Sequence, residues 1–190
     1  VPFVSRAGEK LDLALRHFAL PVQGLVCADL GCSTGGFTDA LLQAGAARVF
    51  SVDTGYGVLA YKLRTDPRVT VLERTNALHA PAHAPCDLVV CDLSWTVQRF
   101  AVPSALRWLA PAPHARIVTL IKPHYERSSA DPHARGILTD DQAHQLFQAT
   151  LDTLPAMGVS VLGSVLSPIR GSGGKHKEGN LEWLALLARA

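Results

Sequence analysis

Little in this sequence would mark it for export, for a membrane or for a metal. It has a single methionine, Met157, and aromatic residues fill only 6% of its 190 positions. No apolar run approaches the roughly 18 uncharged residues of a membrane span. No basic segment followed by an apolar stretch opens the chain, so a signal peptide is not expected either. Charge of one sign is also lacking: 18 Lys and Arg against 16 Asp and Glu leave a formal +2, which alone does not argue for a polyanionic partner. The basic residues are nevertheless grouped, Arg6, Lys10 and Arg16 near the start and Arg170, Lys175 and Lys177 near the end. Cysteines are few. Cys27, Cys32, Cys86 and Cys91 fall as two C-x4-C pairs, a spacing at the edge of zinc sites. Cys27 and Cys91 lie in apolar, strand-like runs, however, where a thiol behaves as a small buried hydrophobe. No metal is expected, and free thiols suit a cytoplasmic location.

What is present is a globular composition, 48% hydrophobic and 18% charged, long enough for one domain with a sizeable core. Helical and strand-like periodicity alternate along its whole length. Helices are expected over 8–19, 35–44, 58–64, 97–109 and 140–155. Strands are expected over 25–30, 48–52, 69–72, 87–91, 117–121, 160–166 and 181–187. Parallel strands need a helix to cover each crossover. The pattern therefore predicts a Rossmann-like α/β fold, a mostly parallel seven-stranded sheet with helices on both faces. The last two strands have no helix between them and predict an antiparallel C-terminal hairpin at one edge, the ending of the methyltransferase variant of this fold.

The strongest motif is ADLGCSTGGF over 28–37, a strand running into a glycine turn that opens the next helix. Open α/β sheets bind ligands at such strand ends. Gly31, Gly35 and Gly36 let the backbone approach a bound molecule closely, with Ser33, Thr34 and Phe37 completing the turn. Ser33 stands where a dinucleotide fingerprint carries its second glycine, which disfavours a nicotinamide oxidoreductase. A cationic sulfonium and amino acid would instead need a nearby carboxylate, which Asp29 is placed to supply, so S-adenosylmethionine is the expected cofactor. Asp53 ends the second strand about twenty residues on, where an acidic side chain accepts ribose hydroxyls; the alternative is a cap on the next helix. Asn76, in the segment 73–76, either reads an adenine edge or forms a polar turn.

The fourth strand closes on VVCDLSW and the fifth on LIKPHY, so Asp92 and Lys122 emerge at neighbouring strand ends on the side of Asp29 and Asp53. A lysine that interrupts an apolar run costs desolvation energy unless it has a partner or a task; Asp92 is the evident partner, in a catalytic or a purely structural ion pair. Methyltransferases acting on amino groups often follow this Asp or Asn with two prolines, where Leu93 and Ser94 stand here. Lys10 on the first helix and Glu182 among Leu181, Trp183 and Leu184 complete a set of four charges. Such a set suits a weakly acidic alcohol, with a lysine withdrawing the hydroxyl proton. Tyr125 either stacks on a base or simply packs.

Taken together, VSRAGEKL, the glycine turn, VDTGYGVLAYKLRTDPRV, LERTN, IKPHYE and GNLEW resemble the TlyA-type ribosomal RNA methyltransferases, the hemolysin A family, which are relatives of the FtsJ-type 2′-O-methyltransferases. The resemblance implies a Lys-Asp-Lys-Glu tetrad at Lys10, Asp92, Lys122 and Glu182, with Lys122 as base and the others orienting and stabilising. It also implies ribosomal RNA or a ribosomal subunit as partner. Members usually carry an N-terminal S4-like RNA-binding domain, and this sequence begins where that domain would hand over, so 1–190 is read as the methyltransferase domain alone. Residues 171–180, GSGGKHKEGN, form a longer loop than the family's turn and offer Lys175, His176 and Lys177 as a grip on phosphate; the alternative is a solvated flexible loop. A cytolysin, as the old family label suggests, and a non-catalytic RNA-binding module are the alternatives; the full tetrad disfavours the module, and the lack of a strongly amphipathic basic helix disfavours the cytolysin.

Overall fold

The computed structural model describes residues 2–127, 137–171 and 179–190. Its centre is a seven-stranded sheet formed by β1 (Val26–Leu30), β2 (Arg48–Val52), β3 (Val69–Leu72), β4 (Leu88–Cys91), β5 (Arg116–Ile121), β6 (Val159–Leu166) and β7 (Trp183–Arg189). The order across the sheet is β3-β2-β1-β4-β5-β7-β6. The first five are parallel, and β7 pairs antiparallel with both β5 and β6. The expected hairpin therefore exists, but its second strand is inserted between β5 and β6 rather than added outside them.

Burial on both faces explains the nearly unbroken apolar strands. Side chains alternate along each strand. Ala28, Leu30, Phe50, Val89 and Ile117 pack on one face with Val102, Ala105 and Trp108 of α4 (Gln98–Trp108) and Phe147 of α6 (Asp140–Thr153). Cys27, Val49, Val90, Val118 and Leu120 pack on the other face with α1 (Ala7–His17), α2 (Gly36–Gln43) and α3 (Tyr61–Arg64). α6 starts on a capping box, Thr139 with Gln142.

Three details depart from the periodicity. The one-turn helix α5 (Pro123–Glu126) follows Lys122 directly, too short to leave a periodic signal. The helix expected over 140–155 gives way at Leu154–Met157 to a 3-10 turn. β7 begins at Trp183, so Glu182 lies just before the last strand and not in it, its carbonyl accepting the Ser167 N–H at 2.9 Å. All four cysteines are buried free thiols, and burial pushes their ionisation far up, Cys86 to about 12. Among the described residues no helix is long and apolar enough to cross a membrane.

Candidate functional site

The strand order reverses between β1 and β4, the place where open α/β sheets form a ligand crevice. A cleft of about 710 Å³ opens there. Its floor is the turn after β1, held by the N–H groups of Gly31 and Cys32, which both donate to the Val52 carbonyl at 2.8 and 3.0 Å. Gly31 has φ +88°, and a Cβ on it would strike the Asp92 carbonyl, so only glycine lets the ends of β1 and β4 come this close. Gly35 and Gly36 serve a different purpose from the one the sequence suggests. Their missing side chains make room for Leu59 and Leu63 and for Ser5 and Ala7, packing α3 and α1 against the turn rather than lining the cleft. Gly31, Ser33, Thr34 and Phe37 do line it.

Asp53 also lines the cleft, and it ties two turns together. One carboxylate oxygen accepts the Ser33 N–H at 2.8 Å and the other the Gly55 N–H at 2.7 Å. Asp53 therefore caps no helix; α3 starts only at Tyr61. Asn76 stands at the rim with its side-chain oxygen on the Leu78 N–H at 2.9 Å. It lines the cleft and shapes a turn at once.

Asp29 is placed otherwise than expected. Strand alternation puts it on the α2 face beside Cys27, fully buried and outside the cleft lining, with its carboxyl engaged by α2. Thr38 on α2 donates its hydroxyl to Asp29 at 2.7 Å, and Thr38 and Ser51 meet at 2.8 Å. The second Asp29 oxygen has no hydrogen-bond partner among the described residues. Burial drives its ionisation up to about 7, against the Thr38 hydrogen bond that lowers it. A carboxyl whose folded pKa lies above its unfolded one contributes stability fully at low pH and loses it as pH climbs towards and past 7. Asp29→Asn, which cannot ionise, should therefore gain on the wild type as pH rises. Thermal denaturation should show the difference in Tm moving in the variant's favour by roughly 3–6 °C between pH 5 and pH 8. An equal difference at both values would show that Asp29 does not titrate in this range.

The four charges singled out in the sequence meet in the cleft as two ion pairs. Lys122 is bonded to Asp92, and Lys10 on α1 to Glu182 before β7. Both lysine side chains are nearly enclosed, 11% and 10% exposed. Burial works to lower the Lys122 ammonium, but Asp92, through its charge and hydrogen bond, with Glu182 and Tyr125 adding to it, holds the group above the ordinary lysine range. Lys122 is accordingly an ammonium in this arrangement. Gly171 packs so closely on the Glu182 carboxylate that a Cβ there would collide with it. Lys175, His176 and Lys177 lie outside the described residues.

The mouth of the cleft carries a feature to which the sequence motifs assign no role. Trp95, three residues past Asp92, is 86% exposed in a left-handed conformation, φ +58°. Its ring lies 5.2 Å from Tyr125, whose own ring is 4.2 Å from His124. Burial, then Lys122, pushes the His124 imidazolium down to about 4, so this ring is neutral at neutral pH. Arg74 lies over Tyr56, itself 70% exposed, at 4.2 Å. Exposed rings grouped at a cleft mark a contact surface, and nothing in the sequence signals that exposure for Trp95.

Comparison with known proteins places this geometry. The chain is 40% identical over 189 residues to the 16S/23S rRNA (cytidine-2'-O)-methyltransferase TlyA of Mycobacterium tuberculosis, an alignment covering 97% of this chain and 68% of that protein. It is 35% identical over 190 residues to Hemolysin A of Brachyspira hyodysenteriae, covering 97% and 76%. A solved hemolysin candidate from Streptococcus thermophilus superimposes with a TM-score of 0.89 at 32% identity, over all of this chain and 68% of that one. An S-adenosylmethionine dependent methyltransferase from Mesorhizobium loti shares the fold alone, at 17% identity and TM-score 0.63 over 93% and 96% of the two chains. The family model described as FtsJ-like methyltransferase matches residues 3–176, spanning the glycine turn and three of the four paired charges. With sheet order, cleft and sequence in agreement, this chain belongs to the FtsJ-like methyltransferase family.

Proposed function

We propose that this chain transfers a methyl group from S-adenosylmethionine to a ribose 2′-hydroxyl of ribosomal RNA. The observation that carries the reading is the convergence of the Lys122–Asp92 and Lys10–Glu182 pairs on the same cleft as the Gly31 turn. The residues of that cleft fit the cofactor. A carboxylate has about four acceptor sites, and Asp53 spends two of its own on amides, which leaves capacity for ribose hydroxyls. Gly31, Ser33 and Thr34 would follow the amino-acid end, Phe37 would close the floor and Asn76 would take the adenine edge, with Asp92 between cofactor and acceptor. When bound, S-adenosylmethionine supplies an electrophilic methyl group on a cationic sulfur.

The remaining chemistry belongs to the protein. A 2′-hydroxyl is a poor nucleophile until its proton leaves, and a buried lysine can take that proton once it has lost its own. Lys122 would accept it at Nζ, with Asp92 fixing the ammonium that results. Lys10 and Glu182 would hold the hydroxyl on the opposite side. Leu93 and Ser94 in place of two prolines argue for oxygen over nitrogen as the atom methylated. Ribosomal RNA enters through the TlyA relatives, whose names specify it. Nucleoside mass spectrometry of ribosomal subunits incubated with the protein and S-adenosylmethionine should reveal a new 2′-O-methylated nucleoside. Methyl on a base instead would refute the assignment.

A further inference from the structure

α4 begins without a cap of its own. Val97, at its N-cap, offers no side-chain acceptor, and the first N–H groups of a helix have no partner within it. The Gln98 N–H is taken instead by the Glu126 carboxylate of α5, at 2.8 Å. Gln98 is buried, and both ends of its amide are used. Its nitrogen donates to the Leu120 carbonyl at 3.1 Å, and its oxygen accepts the Thr119 hydroxyl at 2.8 Å. One connected set of bonds thus joins α5, the start of α4 and the end of β5, from which Lys122 emerges.

Between Asp92 and Gln98 runs the segment 93–97, whose residues Leu93, Ser94, Trp95 and Thr96 form a wall of the cleft. Its near end is fixed: the Asp92 N–H donates to the Leu30 carbonyl at 3.0 Å and the Asp92 carboxylate holds Lys122. Its far end is fixed where Glu126 meets Gln98. Glu126 itself is not part of the cleft lining, so it reaches anything bound there indirectly, through this segment or through His124 and Tyr125 of its own short helix.

We propose that Glu126 is a positioning residue for methyl transfer: by capping α4 from a separate element, it holds the 93–97 wall in register with Asp92 and Lys122. This rests on the methyl-transfer reading above. The effect expected follows from geometry, because a reacting group displaced by about 1 Å can lose on the order of 100-fold in rate.

The test compares Glu126→Ala with Glu126→Gln in the full chain, by hydrogen exchange over residues 93–100 and by steady-state kinetics on ribosomal subunits. Glu126→Ala should speed exchange at the Gln98 amide and lower kcat by about 10- to 100-fold, with KM for S-adenosylmethionine changed less than about twofold. Glu126→Gln, whose amide oxygen still accepts the N–H, should restore kcat to near the wild-type value. Faster exchange with an unchanged kcat would reduce Glu126 to a structural cap, and unchanged exchange would remove the clamp altogether. A parallel rise in KM for the cofactor would show general loosening and equally overturn the proposal. A wild type that methylates no ribosomal RNA defeats the functional reading and this inference together. An active wild type beside an equally active Glu126→Ala defeats this inference alone.

Discussion

Lys122→Ala is expected to lower kcat by about a thousand-fold or more, within the range general base catalysis supplies, while S-adenosylmethionine still binds. The two halves of that result follow from separate parts of the cleft. The residues assigned to the cofactor's ribose and amino-acid end sit at the ends of β1 and β2, whereas Lys122 follows β5 and meets Asp92. The pH dependence sharpens the assignment. Only the neutral amine can accept a proton, and Lys122 is held above the usual lysine range by Asp92 against the opposing pull of burial. The wild-type kcat should therefore climb steadily on the alkaline side of neutrality. Asp92→Asn removes the main force that raises the group and leaves the burial that lowers it, so the ascending limb should move to lower pH even as the maximum rate falls. A Lys122→Ala enzyme that turns over normally would take Lys122 out of the reaction. An Asp92→Asn profile that does not move would show that Lys122 does not set it.

Most of the sheet could be read from the sequence because parallel strands covered on both faces leave long apolar runs, and glycine turns punctuate them. The ends of β1, β2, β4 and β5 can be located for the same reason, which is why the sequence places Asp53, Asp92 and Lys122 at one edge. Periodicity is silent on which face a strand-end residue takes. Asp29 shares the α2 face of β1 with Cys27 and is taken up there by Thr38, while the cleft opens only beyond the end of the strand, at Gly31. Nor does a glycine-rich motif say what needs the room. Gly31 gives it to a neighbouring strand, Gly35 and Gly36 to neighbouring helices. The Lys10–Glu182 pair joins residues 172 positions apart; the sequence groups both with Asp92 and Lys122, but no periodicity says which lysine meets which carboxylate. Glu126 stood in the IKPHYE motif without a role, because its partner is a backbone N–H on another helix, which leaves no mark in a sequence.

Asp53→Ala should weaken S-adenosylmethionine about 100-fold in Kd, by isothermal titration, and leave kcat at saturating cofactor within a few-fold of wild type. Two charge-assisted hydrogen bonds now join the Asp53 carboxylate to the Ser33 and Gly55 amides. Bonds of this kind contribute roughly 1.5–3 kcal/mol each. Losing them frees the turn after β1 from the turn after β2 in the same stroke that removes the proposed ribose acceptor. A loss of about 2.8 kcal/mol already corresponds to 100-fold, so the expectation draws on only part of what the residue contributes. Asp53→Asn retains one oxygen acceptor and should fall between, near 10-fold by the same arithmetic. The contrast with Lys122 is what gives the pair of variants their force. One should weaken cofactor binding with the chemistry nearly intact, the other should stop the chemistry with the cofactor bound. Unchanged affinity in Asp53→Ala would mean that the cofactor lies elsewhere in the cleft and that Asp53 serves only to join two turns.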